Sequence, residues 1–252
     1  MNTICTFLWG HWEMPDGGVS YVHALLAGVR KHLGIPVRFV LFTDHNEEEF
    51  DRDIEVQDLG EAGFWPGNLK KMAMFDPHAG LSGNVMALDL DTVVVGDFQN
   101  LLTDFVQQHF ITCECAYHLQ QPGGGVHRFS AGWGVEELWE PLSTQPEVWF
   151  PLAKGSERLY LKLRLKEQLK TPIDYWQEKY PGQVVSFKLC CGEGLPRNAK
   201  LVWFHGIPRP HHCLSIPWVQ EAVGSFIRGS NPGPRESPRL GETTLPGLSY
   251  NA

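Results

Sequence analysis

No apolar run in this 252-residue chain approaches the roughly 20 residues that cross a bilayer, so no membrane-spanning helix is expected. Positive charge is also scarce. Twenty-one Lys and Arg stand against 29 Asp and Glu, a formal net charge of −8. Nucleic acid, whose phosphates are met by clustered Lys and Arg, is therefore not the expected partner. The opening residues, Met1 to Gly10, lack the basic and apolar pattern of an export leader and read as a strand. A cytoplasmic protein is the expectation. The six cysteines, in a chain of this length without such a leader, read as reduced thiols rather than as a disulfide framework. A zinc site built from Cys190, Cys191, His211 and Cys213 matches no familiar ligand spacing. Internal repeats are absent too.

What is present is an ordinary globular balance, 42 % apolar and 20 % charged, enough for one α/β domain over residues 1–229. Residues 230–252 are dominated by Pro, Gly, Ser and Thr and read as a disordered tail. Thr3 to Trp9 is a short apolar run; Val22, Leu25, Leu26, Val29 and Leu33 follow helical spacing, closed by Gly34 and Pro36. Val37 to Thr43 is apolar at nearly every position, as in a strand covered on both faces. Strand, helix, strand in that order predicts a parallel sheet with a right-handed crossover.

Further on, Ile54 to Leu59 reads as a strand and Asn68 to Phe75 as a short helix stopped by Asp76-Pro77. Val85 to Leu88 is a buried strand that delivers Asp89-Leu90-Asp91 at its carboxyl end, where open α/β sheets bind ligands. Phe110 to Cys115 is predicted as a strand and Gly123 to Gly125 as a flexible connection. Residues 158–165 alternate leucine with charged or aromatic residues, which predicts a strand. Val184 to Lys188 and Leu201 to Phe204 are two more strands, and Pro217 to Ile227 is a helix.

Asp89 and Asp91 carry the chemistry. Two carboxylates at the mouth of one strand repel each other unless a cation neutralises them. A hard divalent ion, Mn2+ or Mg2+, would accept their oxygens and keep sites open for diphosphate. The bland alternative is a pair of solvated acids. A second chemical alternative is the nucleophile motif of the haloacid dehalogenase-like phosphatases. It is disfavoured because a full strand–helix–strand unit precedes the pair and no second acidic cluster follows.

On these residues the chain resembles the GT-A glycosyltransferases, and especially their glycogenin-like and lipopolysaccharide galactosyltransferase-like branch. Val85 to Thr92 is similar to that family's metal-binding strand end. Trp65 to Phe75, with Lys71, is similar to its Lys-containing helix. Val202 to Pro210, with His205, Gly206 and Arg209, is similar to its C-terminal element. The resemblance implies an α/β fold of GT-A type, a Rossmann-like, mostly parallel central sheet flanked by helices with Asp-x-Asp at a strand's carboxyl end. It implies metal ligation by Asp89, Asp91 and His205. It also implies contacts to a nucleotide-sugar, UDP by default, from Asp89, Lys71, Arg209 and Gly206. Tyr21 is a candidate for stacking on the base and Asp44 for binding base or ribose; core packing and a turn cap are their alternatives. The reaction implied is transfer of a hexose to a hydroxyl acceptor. Glu136, Glu157 and Asp174 are the candidates for a catalytic base, and the sequence does not choose among them. Gly155-Ser156-Glu157 stands where the family has Gly-Asp-Gln, so a silent nucleotide-sugar or carbohydrate-binding protein is the alternative function. The family also implies a helix near residues 156–166, against the alternation there.

Overall fold

A computed structural model describes residues 1–10, 12, 14–104 and 110–227. Its centre is a seven-stranded sheet made from β1 (Asn2–Leu8), β2 (Val37–Thr43), β3 (Glu55–Asp58), β4 (Asn84–Leu88), β6 (Phe110–Cys115), β7 (His118–Ser130) and β8 (Ile173–Tyr175), in the order β3-β2-β1-β4-β7-β6-β8. The pairings β3–β2, β2–β1, β1–β4 and β6–β8 are parallel; β4–β7 and β7–β6 are antiparallel. A second sheet of three short strands, β5 (Thr92–Val94), β10 (Leu201–Trp203) and β9 (Val184–Ser186), lies in that order.

Alternation along the strands explains why the first half of the chain reads as continuous apolar runs. Ile4, Leu8, Met86 and Leu88 enter a core with helix α1 (Val19–His32) and the small sheet. Cys5, Phe7, Val85 and Ala87 point the other way, into a core with Leu69, Met72 and Phe75. Both faces of the central strands are thereby withdrawn from water. Helix α1 is set by its ends: Asp16 accepts from the Gly18 and Ser20 amides at 3.0 and 2.8 Å, and Arg30, Lys31 and His32 occupy the last turn, where the helix dipole favours cations.

Three sequence expectations need correction. Residues 158–165 are helical, an α-helical turn at Glu157–Leu161 running into a π-helical one at Lys162–Leu169. Ser156 caps it by accepting from the Leu159 amide at 3.3 Å. Its buried face is Glu157, Tyr160, Leu161, Arg164 and Leu165, the spacing of a helix. Two charged residues in that stripe disguised it, and the alternating leucines mimicked a strand. Gly123 to Gly125 is no free connection but lies inside β7. A Cβ on Gly123 would come within 2.6 Å of the Glu114 carbonyl oxygen, so only glycine lets β7 pass β6 there. Finally, Val184 to Lys188 splits: the strand ends at Ser186 and the helical turn Phe187–Cys190 follows. The segment Asn68 to Phe75 is helical as expected, in the tighter 3-10 form over Gly67–Phe75. The predicted tail, 230–252, lies outside the described residues.

Candidate functional site

The carboxyl ends of β1 and β4, the glycines of β7 and the chain leaving β10 enclose a cavity of about 670 Å³. Asp89 and Asp91 reach it directly from the end of β4. The Asp89 amide donates to the Gly125 carbonyl at 2.7 Å, and the Thr92 amide to the Asp89 carbonyl at 2.9 Å, which fixes the turn carrying both acids.

Each carboxylate meets a cation. Lys71, 8 % exposed, donates to Asp89 and lies 3.1 Å from Glu157. Glu157, 2 % exposed, accepts from His127 Nε2 at 2.6 Å. The result is a chain, His127–Glu157–Lys71–Asp89, buried except at Asp89, with His127 stacked on Phe110 and its Nδ1 without a partner among the described residues. Burial would raise Glu157, but Lys71 and His127 outweigh it and hold its carboxyl at about 2. Burial likewise works against the Lys71 charge, and the two carboxylates more than reverse it, raising its ammonium above the usual lysine range. Asp91 is separate: it accepts from Arg209 Nη1 at 3.1 Å, and the guanidinium lies over the Trp12 ring at 4.4 Å. Burial, then the charge of Asp89, pushes Asp91 up to about 7 against Arg209 and Lys71.

His205 lines the same cavity but faces Ser186 Oγ at 2.8 Å and packs on Trp203. Burial first, then Lys188 and Arg158, lowers its imidazole to about 4. A hard divalent cation suits the acidic pair chemically, since it would relieve the repulsion that raises Asp91. The expected ligand set is nevertheless not gathered: among the described residues no three His, Cys, Asp or Glu side chains approach closely enough to hold a metal ion.

Other expected residues fall in different places. Gly206 lines the cavity with φ at 67°. Tyr21 is 2 % exposed and bonded through its hydroxyl to His211 Nδ1 at 2.7 Å, so it ties α1 to the C-terminal segment and offers no face to a base. Asp44, at the end of β2, holds the Gly10 amide with both oxygens at 3.1 and 3.2 Å, outside the cavity lining. Of the three base candidates only Glu157 reaches the cavity. Glu136 is exposed on the π-helical turn Val135–Trp139, and Asp174 pairs with Lys179 at 3.3 Å. Sequence reading missed His127, Arg158, Lys188, Trp9 and Trp12. A lone histidine inside a strand carries no signal until Glu157 is placed beside it. The basic pair sits on helical turns whose sequences carry the pattern of strands.

This mixed sheet, with its acidic pair at the end of a central parallel strand, is the GT-A fold. Solved structures that share it include an active-site mutant of LgtC, with a TM-score of 0.64 and 12 % identity over 91 % of this chain and 97 % of that one. The galactosyltransferase LgtC in complex with donor and acceptor sugar analogues has a TM-score of 0.59 at 12 % identity and the same coverage. The glycosyltransferase GlyE of Streptococcus pneumoniae TIGR4 has a TM-score of 0.58 at 14 % identity over 83 % of this chain and 56 % of that one. No protein-family model and no curated protein sequence matches the chain. The phosphatase alternative falls with the fold.

Proposed function

We propose that the chain is a glycosyltransferase that moves a hexose from a nucleotide diphosphate sugar, by default a UDP-sugar, to a hydroxyl acceptor. One observation carries this reading: two carboxylates and their paired cations face a cavity at the carboxyl edge of a GT-A sheet. Asp89 and Asp91, with His205 turned from Ser186, would hold Mn2+ or Mg2+. Such an ion supplies charge to stabilise the departing diphosphate. Arg209, already in the cavity, would offer its guanidinium fork to phosphate oxygens. Lys71 holds Asp89 in place and offsets part of the burial that raises its carboxyl, and is itself fixed by Glu157. Trp9 and Trp12 add apolar surface to the cavity lining.

The cavity's carboxylates also bear on stereochemistry. Among the described residues that line it, Asp89, Asp91 and Glu157 are the only acids, and each is ion-paired. An inverting transfer needs a free base beside the acceptor, and none of these three is free. Transfer with retention is therefore the better reading. The same observation favours, as a second reading, a protein that binds the nucleotide-sugar without transferring it.

Calorimetric titration with UDP tests the proposal. Binding is expected with Mn2+, and EDTA and the Asp91→Ala substitution are each expected to abolish it. UDP binding equally well in EDTA removes the metal; no UDP binding under either condition removes the donor assignment. Binding without sugar transfer to any of a broad panel of hydroxyl acceptors selects the second reading.

A further inference from the structure

Two cations that line the cavity take no part in the ion pairs of the acidic residues. Arg158 follows Glu157 on its helical turn, and Lys188 is the second residue of the turn Phe187–Cys190; both line the cavity. Among the described residues neither forms an ion pair, and Arg158 donates from Nη1 to the Cys115 sulfur at 3.4 Å. The acids that line the cavity are already matched with Lys71 and Arg209. Among the described residues, two cations thus face a partly enclosed space with no acid of their own. An anionic ligand complements that arrangement.

The backbone keeps the space open. Gly206 has φ at 67°, and a Cβ there would stand 3.6 Å from Lys188 Nζ. Gly124 has φ at 77°, and a Cβ there would stand 3.5 Å from Arg158 Cγ. A larger residue at either position would be strained and would cover a cation. Tyr117 lines the same cavity and is 62 % exposed, its ring edge-on to His205 at 6.1 Å. An exposed aromatic face next to unmatched cations suits a ring that is apolar on one side and anionic at its rim.

We propose that Arg158 and Lys188 receive a carboxylate or phosphate carried by a sugar, so that this chain handles an acidic saccharide. The proposal rests on the glycosyl-transfer reading for its choice of a sugar as the carrier. Either the transferred sugar or the acceptor can bring the anion, and the shared chemistry is the same.

The test uses the full chain in two arms. In the first, UDP-glucuronate and UDP-glucose are compared by calorimetry. In the second, with UDP present, methyl glucuronide and a glucose phosphate are compared with methyl glucoside by ligand-observed NMR. Lys188→Gln, Arg158→Gln and the charge-preserving Lys188→Arg are measured alongside, each checked for folding by melting. The expected result is a preference of roughly tenfold for the acidic ligand in at least one arm, lost in both Gln variants and kept in Lys188→Arg. UDP affinity itself is expected to stay unchanged. A preference confined to the first arm puts the anion on the transferred sugar; one confined to the second puts it on the acceptor. No preference in either arm overturns the proposal. So does an equal loss of UDP, UDP-glucose and UDP-glucuronate in the Gln variants, which would assign these cations to the diphosphate. If UDP fails to bind while methyl glucuronide or the glucose phosphate binds in a Lys188-dependent way, the donor reading fails and the acidic-saccharide proposal stands.

Discussion

Two lysines line one cavity and live under opposite conditions. Lys71 is 8 % exposed, flanked by Asp89 and Glu157, and backed by His127 through Glu157. Lys188, in the same lining, has no ion pair among the described residues, and burial lowers its ammonium below the usual lysine range. The Lys71 charge is committed to other charges of the same chain. The Lys188 charge is held, among the described residues, without an acidic partner and against its own desolvation. The difference teaches where to look for a ligand. A matched buried network fixes the position of Asp89, whereas an unmatched pair of cations is an open valence in the electrostatic sense.

The sharpest way to break this contrast is to remove Lys71. Lys71→Gln leaves a buried carboxylate, Glu157, and a partly buried one, Asp89, without their shared cation. Breaking a buried pair by deleting one partner costs about 3–5 kcal/mol, which for a chain of this size lowers the melting temperature by on the order of 10 °C. Melting followed by circular dichroism measures it. An unchanged melting temperature would mean the network is solvated and the contrast is false.

Glu157→Gln probes the same network with a signature in pH. The Glu157 carboxyl is held at about 2 in the folded chain, below the 4.5 of an unperturbed glutamate. Its contribution is therefore fully present above about pH 4.5 and is lost as pH falls through about 2. The linkage is worth roughly 3 kcal/mol at neutral pH. Parent and variant are expected to differ by that amount in urea melts at pH 7 and to converge as pH falls to about 2. A constant difference across this range would show that Glu157 acts through packing rather than charge.

How much of this was legible in the sequence follows the same division. The strands β1, β2 and β4 and the Asp89–Asp91 pair were legible because their neighbours are apolar on both faces, so burial and sequence pattern coincide. The helix at 157–169 was not, because its buried stripe carries Glu157 and Arg164, and polar residues in a core position erase the helical period. Arg164 is satisfied there by the Glu137 carbonyl at 2.9 Å and by the Trp149 ring, neither of which a linear reading can place. Gly123 to Gly125 misled for a related reason: their composition signals a loop, while the crowding by Glu114 and Trp203 that requires them exists only once β6, β7 and β10 are assembled.

The smallest expected effect is the most discriminating, since it repeats the substitution made at Lys71. Lys188→Gln removes a charge that no acid among the described residues pairs with, so no buried group among them is left unmatched. A lysine whose folded-state pKa is lowered destabilises the fold while it stays protonated, and the cost fades only as pH rises toward its unfolded value. Replacing it should therefore leave stability unchanged or raise it slightly at pH 7, within about 0.5 kcal/mol. The comparison to make is between the two Lys→Gln variants in one set of melts. A large loss at Lys71 with none at Lys188 supports a committed and an available charge in one cavity. A comparable loss at both would mean that Lys188 has a structural partner, and the case for an anionic ligand there would go with it.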